Sequence, residues 1–309
     1  MMSATPTRTT GPGRDTGIRP TLAELVALRD AVGRGATARR ARSGVRAQAL
    51  APARGHGMEY AESRDYVAGD DARHIDWRVT ARTGRTHTKT FQAERERLTL
   101  LVADTARSLY IGTRVRYKSV QAARAGAIAT WAAVADGDRV AAIRGTSHEA
   151  PVPPASGRRG ALRVLHALAH WYAEPPLADD GLAMALEHAA RVARPGSRVL
   201  VLADAASVVT VPARRWLALS AHSDVLVLLL SDPLEQAPPH AQLRFAGPSG
   251  PVELDLAQAT QRARWEDAFA GTLARAGTLL QAARVRSTVL SSEMPSGLWL
   301  PMFGRPRAV

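Results

Sequence analysis

Three apolar runs, each ending in an aspartate, constrain the fold of this 309-residue sequence more than any other feature. They read LTLLVAD, SRVLVLAD and DVLVLLLSD, and they end at Asp104, Asp204 and Asp232. A continuous apolar run of this length is typical of a strand that is buried on both faces of a parallel sheet. Because helix-periodic segments alternate with the runs, the sequence predicts an α/β fold with a doubly wound, mostly parallel sheet, preceded by a small β-rich N-terminal module.

The other elements of the sheet domain follow from the same patterns. Two further strands are predicted in DRVAAIRG and VRSTVLSSE, and QLRFAGPSGPVELDL is typical of a hairpin. Helices are predicted in VRYKSVQAARAGAIATWAAVADG, RRGALRVLHALAHWYA, GLAMALEHAARVA and VPARRWLALSAHS, and in a fifth segment from Asp255 to about Arg284. The sheet domain is therefore assigned to residues 97–309.

The N-terminal third has a different character. Residues 1–20 are rich in Thr, Pro, Gly and Arg and lack periodicity, which predicts a disordered basic tail. Thr21 is suited to cap a short helix, with Glu24 at the capping-box spacing, and residues 57–98 contain extended segments around a polar loop. We assign residues 21–96 to a module made of this helix and the extended segments.

Composition excludes several kinds of site and partner. The chain has no Cys, so thiolate metal sites and Cys nucleophiles are absent. Of the net charge of +13, a large share comes from ten Arg in residues 1–54, and this distribution indicates a solvated basic arm. Aromatic residues amount to 5%, too few to favour stacking on nucleic acid. No apolar run reaches the length that a bilayer requires, so we expect a cytoplasmic protein without membrane insertion.

The three aspartates that end the strands are candidate site residues. In open parallel sheets ligands bind beyond the carboxyl ends of the strands, so Asp104, Asp204 and Asp232 are expected to converge on one edge. Each of them alone is more often a cap of a helix or a turn. Three together favour a site.

The segment GTRVRYKS, residues 112–119, nearly matches a phosphate-binding loop. Tyr117 stands where that loop needs a glycine, whose missing side chain lets the backbone wrap a phosphate. Lys118 and Ser119 are therefore predicted to form the first turn of a helix, and nucleotide binding is not favoured.

The densest polar stretch of the chain is AGDDARHIDWR, residues 68–78. One interpretation is a tight turn followed by a capped helical turn, in which the acids pair with nearby arginines. The alternative is a recognition surface. Either interpretation concerns eight residues: Arg64, Tyr66, Asp70, Asp71, Arg73, Asp76, Trp77 and Arg82.

The succession MEYAESRDYVAGDDARHIDWRVTARTGRTHTKTFQAERE, followed by DTARSLYIGT and GDRV, resembles a bacterial and archaeal family called domain of unknown function fifty-eight. The resemblance extends from about Gly35 to the C-terminus. It implies a von Willebrand factor A-like domain in the sheet region. It also implies a partner, an AAA+ ATPase of the MoxR type.

Such domains carry a metal-ion-dependent adhesion site that begins with D-x-S-x-S after the first strand. The resemblance assigns Asp104 as its first carboxylate, Ser108 as its second hydroxyl and Asp204 as its later carboxylate, while Ala106 replaces the first Ser. The expected Thr would fall near ASGRRGAL, which offers only Ser156. Two alternatives follow: a weak Mg²⁺ site, or a cation-free charge cluster in which Arg107 replaces the metal ion and pairs with Asp104 or Asp204.

The favoured hypothesis is therefore a non-enzymatic protein-interaction adaptor with a degenerate adhesion site. It would work with a MoxR-type ATPase in a chaperone-like assembly on unidentified client proteins. Two alternatives stay open. One is a metal-dependent hydrolase that uses Asp104, Asp204 and Asp232, and the other is a binder of nucleic acid or anionic surfaces through the basic arm.

Overall fold

Alternate residues of the central strands face two different layers of helices. The computed structural model describes residues 17–30, 32, 58–67, 70–93, 97–177, 179–247 and 250–303. On one face of the main sheet, Leu101 and Leu202 belong to a buried apolar cluster. On the other face, Leu100 and Val201 belong to a second cluster. This alternation follows from the two-residue period of a strand, and it explains why the strand sequences are apolar throughout.

The described strands are β1 (Met58–Asp65), β2 (His87–Ala93), β3 (Leu98–Ala103), β4 (Arg139–Arg144), β5 (Val152–Ala155), β6 (Arg198–Asp204), β7 (Asp224–Ser231), β8 (Gln242–Gly247), β9 (Gly250–Asp255) and β10 (Arg286–Ser291). The described helices are α1 (Leu22–Ala27), α2 (Trp77–Thr83), α3 (Lys118–Ala135), α4 (Gly157–Trp171), α5 (Gly181–Val192), α6 (Ala205–Thr210), α7 (Ala213–Ser220), α8 (Pro233–Gln236), α9 (Ala259–Glu266) and α10 (Thr272–Ala282). None of these helices is long and apolar enough to cross a membrane.

The main sheet has six strands in the order β10-β7-β6-β3-β4-β5. Neighbouring strands are parallel except that the edge strand β5 runs antiparallel to β4. Read from β5, the strands follow the 3-2-1-4-5-6 order of a doubly wound sheet. The direction in which successive strands are added reverses between β3 and β6. The predicted α/β class and mostly parallel sheet are confirmed. The carboxyl ends of β3 and β6 form the crevice where such sheets bind ligands.

Helix α3 contacts side chains of the sheet and of α4 at one glycine, Gly126. A Cβ atom on Gly126 would lie 2.9 Å from Cδ1 of Leu168 in α4 and 3.1 Å from Cδ1 of Leu202 in β6. No larger residue fits at this contact without displacing its neighbours. The close contact fixes the position of α3, whose first residue lies at the carboxyl edge of the sheet.

Several elements differ from those predicted, among them the short helices α6 and α8, which were not anticipated. The edge strand β5 was not anticipated, because VPPA is short and contains two prolines, which are tolerated only at a sheet edge. The predicted helix from Asp255 to about Arg284 is divided into α9 and α10 by a π-helical segment, Asp267–Gly271. The predicted hairpin forms as β8 and β9, although residues 248 and 249 of its turn lie outside the described residues.

The chain divides into a large unit, residues 1–38 and 97–309, and a small unit, residues 39–96. Helix α1, which the sequence grouped with the N-terminal module, belongs to the large unit instead. Its Leu25 is fully buried, and the carbonyl of Leu25 accepts a hydrogen bond of 3.1 Å from the Trp131 indole. Thr21 caps α1 as predicted. Most of the predicted disordered tail, residues 1–16, lies outside the described residues.

The small unit is an antiparallel pair of strands joined by a helical connection. Strand β1 pairs with β2, and the register shifts between Tyr60 and Glu62. The connection contains a 3₁₀ turn, Ala72–His74, and helix α2. This unit corresponds to the β-rich part of the predicted N-terminal module.

Candidate functional site

The structure brings Asp104 and Asp204 together at the carboxyl ends of β3 and β6. The Asp104 side chain is 2% exposed, and its Oδ2 accepts a hydrogen bond of 3.0 Å from the backbone N–H of Asp204. Its Oδ1 accepts one of 3.0 Å from the backbone N–H of Ala106, and the Ser207 hydroxyl also hydrogen-bonds this carboxylate. Both oxygens of Asp104 are thus engaged, and the carboxylate holds the two strand ends against each other.

A buried lysine supplies the cation of this edge. The Lys118 ammonium lies 2.6 Å from Oδ2 of Asp204 and 2.5 Å from Oε1 of Glu235, and the residue is 1% exposed. Lys118 is the first residue of α3, and its backbone N–H closes the preceding loop by donating to the carbonyl of Ile111 at 2.8 Å. We call Asp104, Lys118, Asp204 and Glu235 the rim cluster.

The third strand-ending aspartate, Asp232, joins the rim cluster indirectly. Its carboxylate accepts hydrogen bonds from the Thr113 hydroxyl at 2.5 Å, the Thr113 backbone N–H at 3.0 Å and the Ser292 hydroxyl at 2.6 Å. It also caps the short helix α8, and Oε2 of Glu235 accepts the backbone N–H of Asp232 at 2.8 Å. Asp232 therefore fixes the loop before α3, the loop after β10 and the carboxylate that binds Lys118.

Burial and charge shift the proton affinities of the cluster in different directions. Burial raises the pKa of Asp104 to about 6, against the hydrogen bonds that it accepts. Burial alone would lower the pKa of Lys118, but the charges of Asp204 and Glu235 outweigh it and raise that pKa. Burial raises the pKa of Glu235, against the charge and the hydrogen bond of Lys118, and the negative charge of Asp204 adds to the rise. The cluster keeps Lys118 charged and holds an excess of acidic groups.

Asp232 shows the opposite balance. Burial acts to raise its pKa, but the hydroxyls of Ser292 and Thr113 and the backbone N–H groups of Leu234 and Thr113 hold its pKa below the ordinary value. These donors stabilise the charged carboxylate without any cation. Asp232 is thus a structural anion at the junction of three loops.

The residues of this edge do not fit the metal ion that the family resemblance implies. The Lys118 ammonium already lies between two of the carboxylates, and Ala106 offers no ligand where the first serine would stand. Ser108 is exposed, in a 3₁₀ turn (Arg107–Leu109). Across the described ranges, no group of three His, Asp or Glu side chains is arranged to hold a metal ion. Magnesium needs nearly ideal octahedral oxygen geometry, which an ammonium in this position prevents.

Ser156, which the resemblance placed near the missing threonine, lies at the wrong end of the sheet. It follows β5, and Ala155 at the end of that strand pairs with Val140 near the start of β4. Because β5 is antiparallel, its end lies at the amino edge of the sheet. Ser156 therefore has no place in a site at the carboxyl edge.

The sequence predicted a cation at this edge but named a different residue. Arg107 was expected to pair with Asp104 or Asp204, but its side chain is exposed and Lys118 makes the ion pair. Lys118 could have been recognised from the sequence, because the chain has only two lysines. This one begins the helix that follows the first strand of the main sheet and its loop. Glu235 was also missed, although Asp232 and Glu235 have the three-residue spacing of a capping box.

A cavity of about 90 Å³ opens beside the rim cluster. Asp204, Glu235 and Ser108 are among the residues that line it. Ser231 also lines it, and its hydroxyl, in a residue only 3% exposed, has no hydrogen-bond partner within the described part of the chain. The apolar residues that line it include Leu230, Phe269 and Leu273. Phe269 belongs to the π-helical segment, a feature often found at functional sites.

The polar stretch of the small unit forms a network of caps with one ion pair. Asp70 binds the Arg64 guanidinium at 2.7 Å and accepts the backbone N–H of Val67 at 3.0 Å, and the Tyr66 hydroxyl donates to the Asp70 carbonyl at 3.3 Å. The Val67 N–H and the Arg64 side chain together lower the pKa of Asp70. These contacts agree with the turn interpretation at this position.

The other acids of that stretch serve as helix caps. Asp71 accepts the backbone N–H of Arg73 at 2.9 Å and begins the 3₁₀ turn. Asp76 caps α2 through the N–H of Val79 at 3.2 Å and accepts the Ser63 hydroxyl at 2.8 Å, which lowers its pKa. The sequence had favoured pairing of these acids with Arg64, Arg73, Arg78 and Arg82. Arg73, Arg78 and Arg82 are exposed, and backbone N–H groups and the Ser63 hydroxyl supply the hydrogen bonds to Asp71 and Asp76.

Trp77 is the exception in this stretch. It is the first residue of α2, and it is 70% exposed. An indole this exposed contributes little to the folding of the small unit. It keeps open the recognition-surface interpretation for this position.

Comparisons with known proteins place the chain in a family. A family model described as "Protein of unknown function DUF58" matches residues 62–276. The uncharacterized proteins Mb1516 of Mycobacterium bovis and Rv1480 of Mycobacterium tuberculosis are each 32% identical over 184 residues. The alignment covers 58% of this chain and 56% of each relative, so the chain spans little more than half of their length. No solved structure matches the chain. Because the family model matches well over half of its residues, the chain belongs to the DUF58 family.

Proposed function

We propose that the protein is a non-enzymatic adaptor that binds other proteins through the carboxyl edge of its main sheet. The partner that family resemblance favours is a MoxR-type AAA+ ATPase, in a chaperone-like assembly. The observation that carries the proposal is the rim cluster, in which the Lys118 ammonium joins Asp204 to Glu235. A built-in cation gives this edge a fixed structure that requires no metal ion.

The state of the carboxylates argues against a hydrolase. Asp104 accepts two backbone N–H groups, and Asp204 and Glu235 bind Lys118. A general base or nucleophile needs an oxygen that can reach a substrate proton or a reacting atom. Here each carboxylate of the cluster is committed to a structural contact. This supports a binding role for the edge.

The surface above the cluster has the composition of a protein-binding site. We define the carboxyl-edge surface as residues 107–117 and 292–298. It exposes Val115 at 51% and Leu298 at 60%, together with the charged Arg107. Arg116 connects its two loops by donating to the carbonyls of Ser292 and Met294, each at 3.0 Å. Exposed apolar side chains on a rigid support, with charges around them, are typical of interaction surfaces.

A binding measurement tests this proposal. The MoxR-type ATPase of the same genome is immobilised, and the affinity of the wild-type protein is compared with that of Arg107→Glu. We expect the charge reversal to weaken binding by about tenfold or more, because it changes a charge at the proposed interface. Arg158→Glu is the matched control, since Arg158 is an exposed arginine at the start of α4, near the amino edge.

Three results are informative. Binding that is weakened by Arg107→Glu and unchanged by Arg158→Glu supports the carboxyl edge as the interface. Equal effects of the two substitutions would show that the carboxyl edge is not the interface. Absence of binding by the wild-type protein would reject the ATPase as the partner.

A further inference from the structure

The cavity beside the rim cluster has an acidic side that is not neutralised. Asp204 and Glu235 line the cavity, whereas the buried Lys118 is not among its lining residues. One ammonium faces two carboxylates, so the wall that an entering group meets carries residual negative charge. A cationic group is favoured there and an anionic group is disfavoured.

The Ser231 hydroxyl gives an independent sign that the cavity receives a ligand. It is buried and unpaired within the described residues, although buried polar groups almost always have hydrogen-bond partners. A hydroxyl accepts as well as donates, so an N–H donor placed in the cavity would satisfy it. The acidic wall and this hydroxyl therefore call for the same ligand chemistry, a cation that carries N–H groups.

The size of the cavity and its apolar lining residues further limit which ligands can bind. About 90 Å³ is far below the roughly 300 Å³ of the smallest pockets for drug-sized molecules, so the cavity fits the end of one side chain and excludes a nucleotide. Leu230 and Leu273 offer apolar contact for a methylene stem. Phe269 offers a ring to which a cation is attracted.

We propose that this cavity binds the ammonium or guanidinium end of a lysine or arginine side chain presented by the partner protein. The inference rests on the proposed function, because the cavity adjoins the carboxyl-edge surface through Ser108. The inserted cation would meet Asp204 and Glu235 within the cavity and would donate to the Ser231 hydroxyl. The stem would lie against the apolar wall.

The first test uses small mimics of the two side chains. Isotope-labelled protein is titrated with n-butylammonium, with n-propylguanidinium and with n-butanol as the neutral control, while the backbone amide signals of Ser231 and Phe269 are followed. We expect saturable shifts with a cation and none with n-butanol. The cation that binds more tightly identifies lysine or arginine as the inserted residue. Shifts produced by Mg²⁺ but by neither organic cation would overturn the proposal in favour of a metal site.

The second test blocks the cavity. Ala206 lines it but is exposed, so Ala206→Leu fills the entrance with little effect on folding. Ala213→Leu is the control, at an exposed alanine that begins the next helix, α7. We expect Ala206→Leu to abolish the amide shifts and to weaken ATPase binding by about tenfold, with Ala213→Leu unchanged.

The outcomes separate this inference from the proposed function. ATPase binding that is equal for wild type and Ala206→Leu would overturn the side-chain inference and leave the adaptor function in place. Loss of ATPase binding by the wild type itself would contradict the adaptor function. The amide titration is read independently of ATPase binding. Amide shifts that persist in Ala206→Leu would overturn the cavity as the cation site.

Discussion

The two edges of the main sheet hold the same set of charges in different surroundings. At the carboxyl edge the Lys118 ammonium lies 2.5–2.6 Å from two carboxylates, those of Asp204 and Glu235. At the amino edge the Arg198 guanidinium lies 3.5 Å from each of two others, those of Asp136 and Asp138. Lys118 is enclosed, whereas the Asp136 side chain is 36% exposed.

The difference lies in what each cation does besides neutralising acids. The Arg198 guanidinium lies over the Phe303 ring, 4.4 Å from its centre, and so helps to attach the C-terminal segment to the sheet. Lys118 belongs to the rim cluster, and two other members of that cluster, Asp204 and Glu235, line the adjoining cavity. The same charge pattern therefore has a packing role at the amino edge. At the carboxyl edge it lies beside the surface that we propose binds a partner protein.

The largest expected difference between the edges is in stability. Lys118→Met leaves two buried carboxylates without a cation, which should lower the free energy of unfolding by about 3–5 kcal/mol at neutral pH. Arg198→Met should cost less, about 2 kcal/mol, because Asp136 is partly hydrated and Asp138 keeps a hydrogen bond of 2.6 Å from the Thr99 hydroxyl. Urea unfolding of both variants measures the two values. Equal losses would show that the edges are equivalent.

The next largest expected difference between the edges is in how the free energy of unfolding depends on pH. The folded pKa of Asp104, about 6, lies above its ordinary value of 3.8, so the folded state binds this proton more tightly than the unfolded state does. The resulting stabilisation is complete below about pH 4 and is lost as the pH rises through 6, and it amounts to about 3 kcal/mol. Asp104→Asn should remove this dependence, as measured by urea unfolding between pH 4 and 7.

Asp138 is the comparison at the amino edge. Burial raises its pKa too, in part against the Thr99 hydroxyl and the charge of Arg198. Asp138→Asn should therefore flatten the same pH profile to a smaller extent. A profile unchanged by Asp104→Asn would mean that this carboxyl is not the group that titrates.

The smallest expected effect concerns two buried hydroxyls. Ser231→Ala removes the unpaired hydroxyl of the cavity and should raise the free energy of unfolding by about 1 kcal/mol. Thr99→Val breaks the hydrogen bond to Asp138 and should lower it by about 2 kcal/mol. Thermal unfolding of both variants checks the opposite signs. A destabilised Ser231→Ala would indicate that this hydroxyl has a partner.

The sheet could be predicted from the sequence because the pattern that marks a buried strand is local. Strand burial shows as continuous apolar runs, and the aspartates that end three of them mark the edge where ligands bind. Asp104 and Asp204 were placed together for this reason, and the structure brings them into contact.

The partners of those carboxylates could not be predicted in the same way. Lys118 and Glu235 are 117 residues apart, and their meeting depends on how α3 and α8 begin after β3 and β7, the two strands that flank β6. Arg107 was the nearer basic residue in sequence, but its 3₁₀ turn directs it to solvent. The antiparallel direction of β5, which moves Ser156 to the far edge, is likewise a property of the whole sheet.

The most direct test of the account is the state of the Lys118 ammonium. Because Lys89 and Lys118 are the only lysines, labelling lysine with ¹⁵N gives two side-chain signals, and the exposed Lys89 serves as the internal reference. We expect the Lys118 ammonium to exchange its protons slowly, to stay charged above pH 10.5 and not to respond to Mg²⁺. A Lys118 signal that exchanges as fast as that of Lys89 and shifts when Mg²⁺ is added would contradict it.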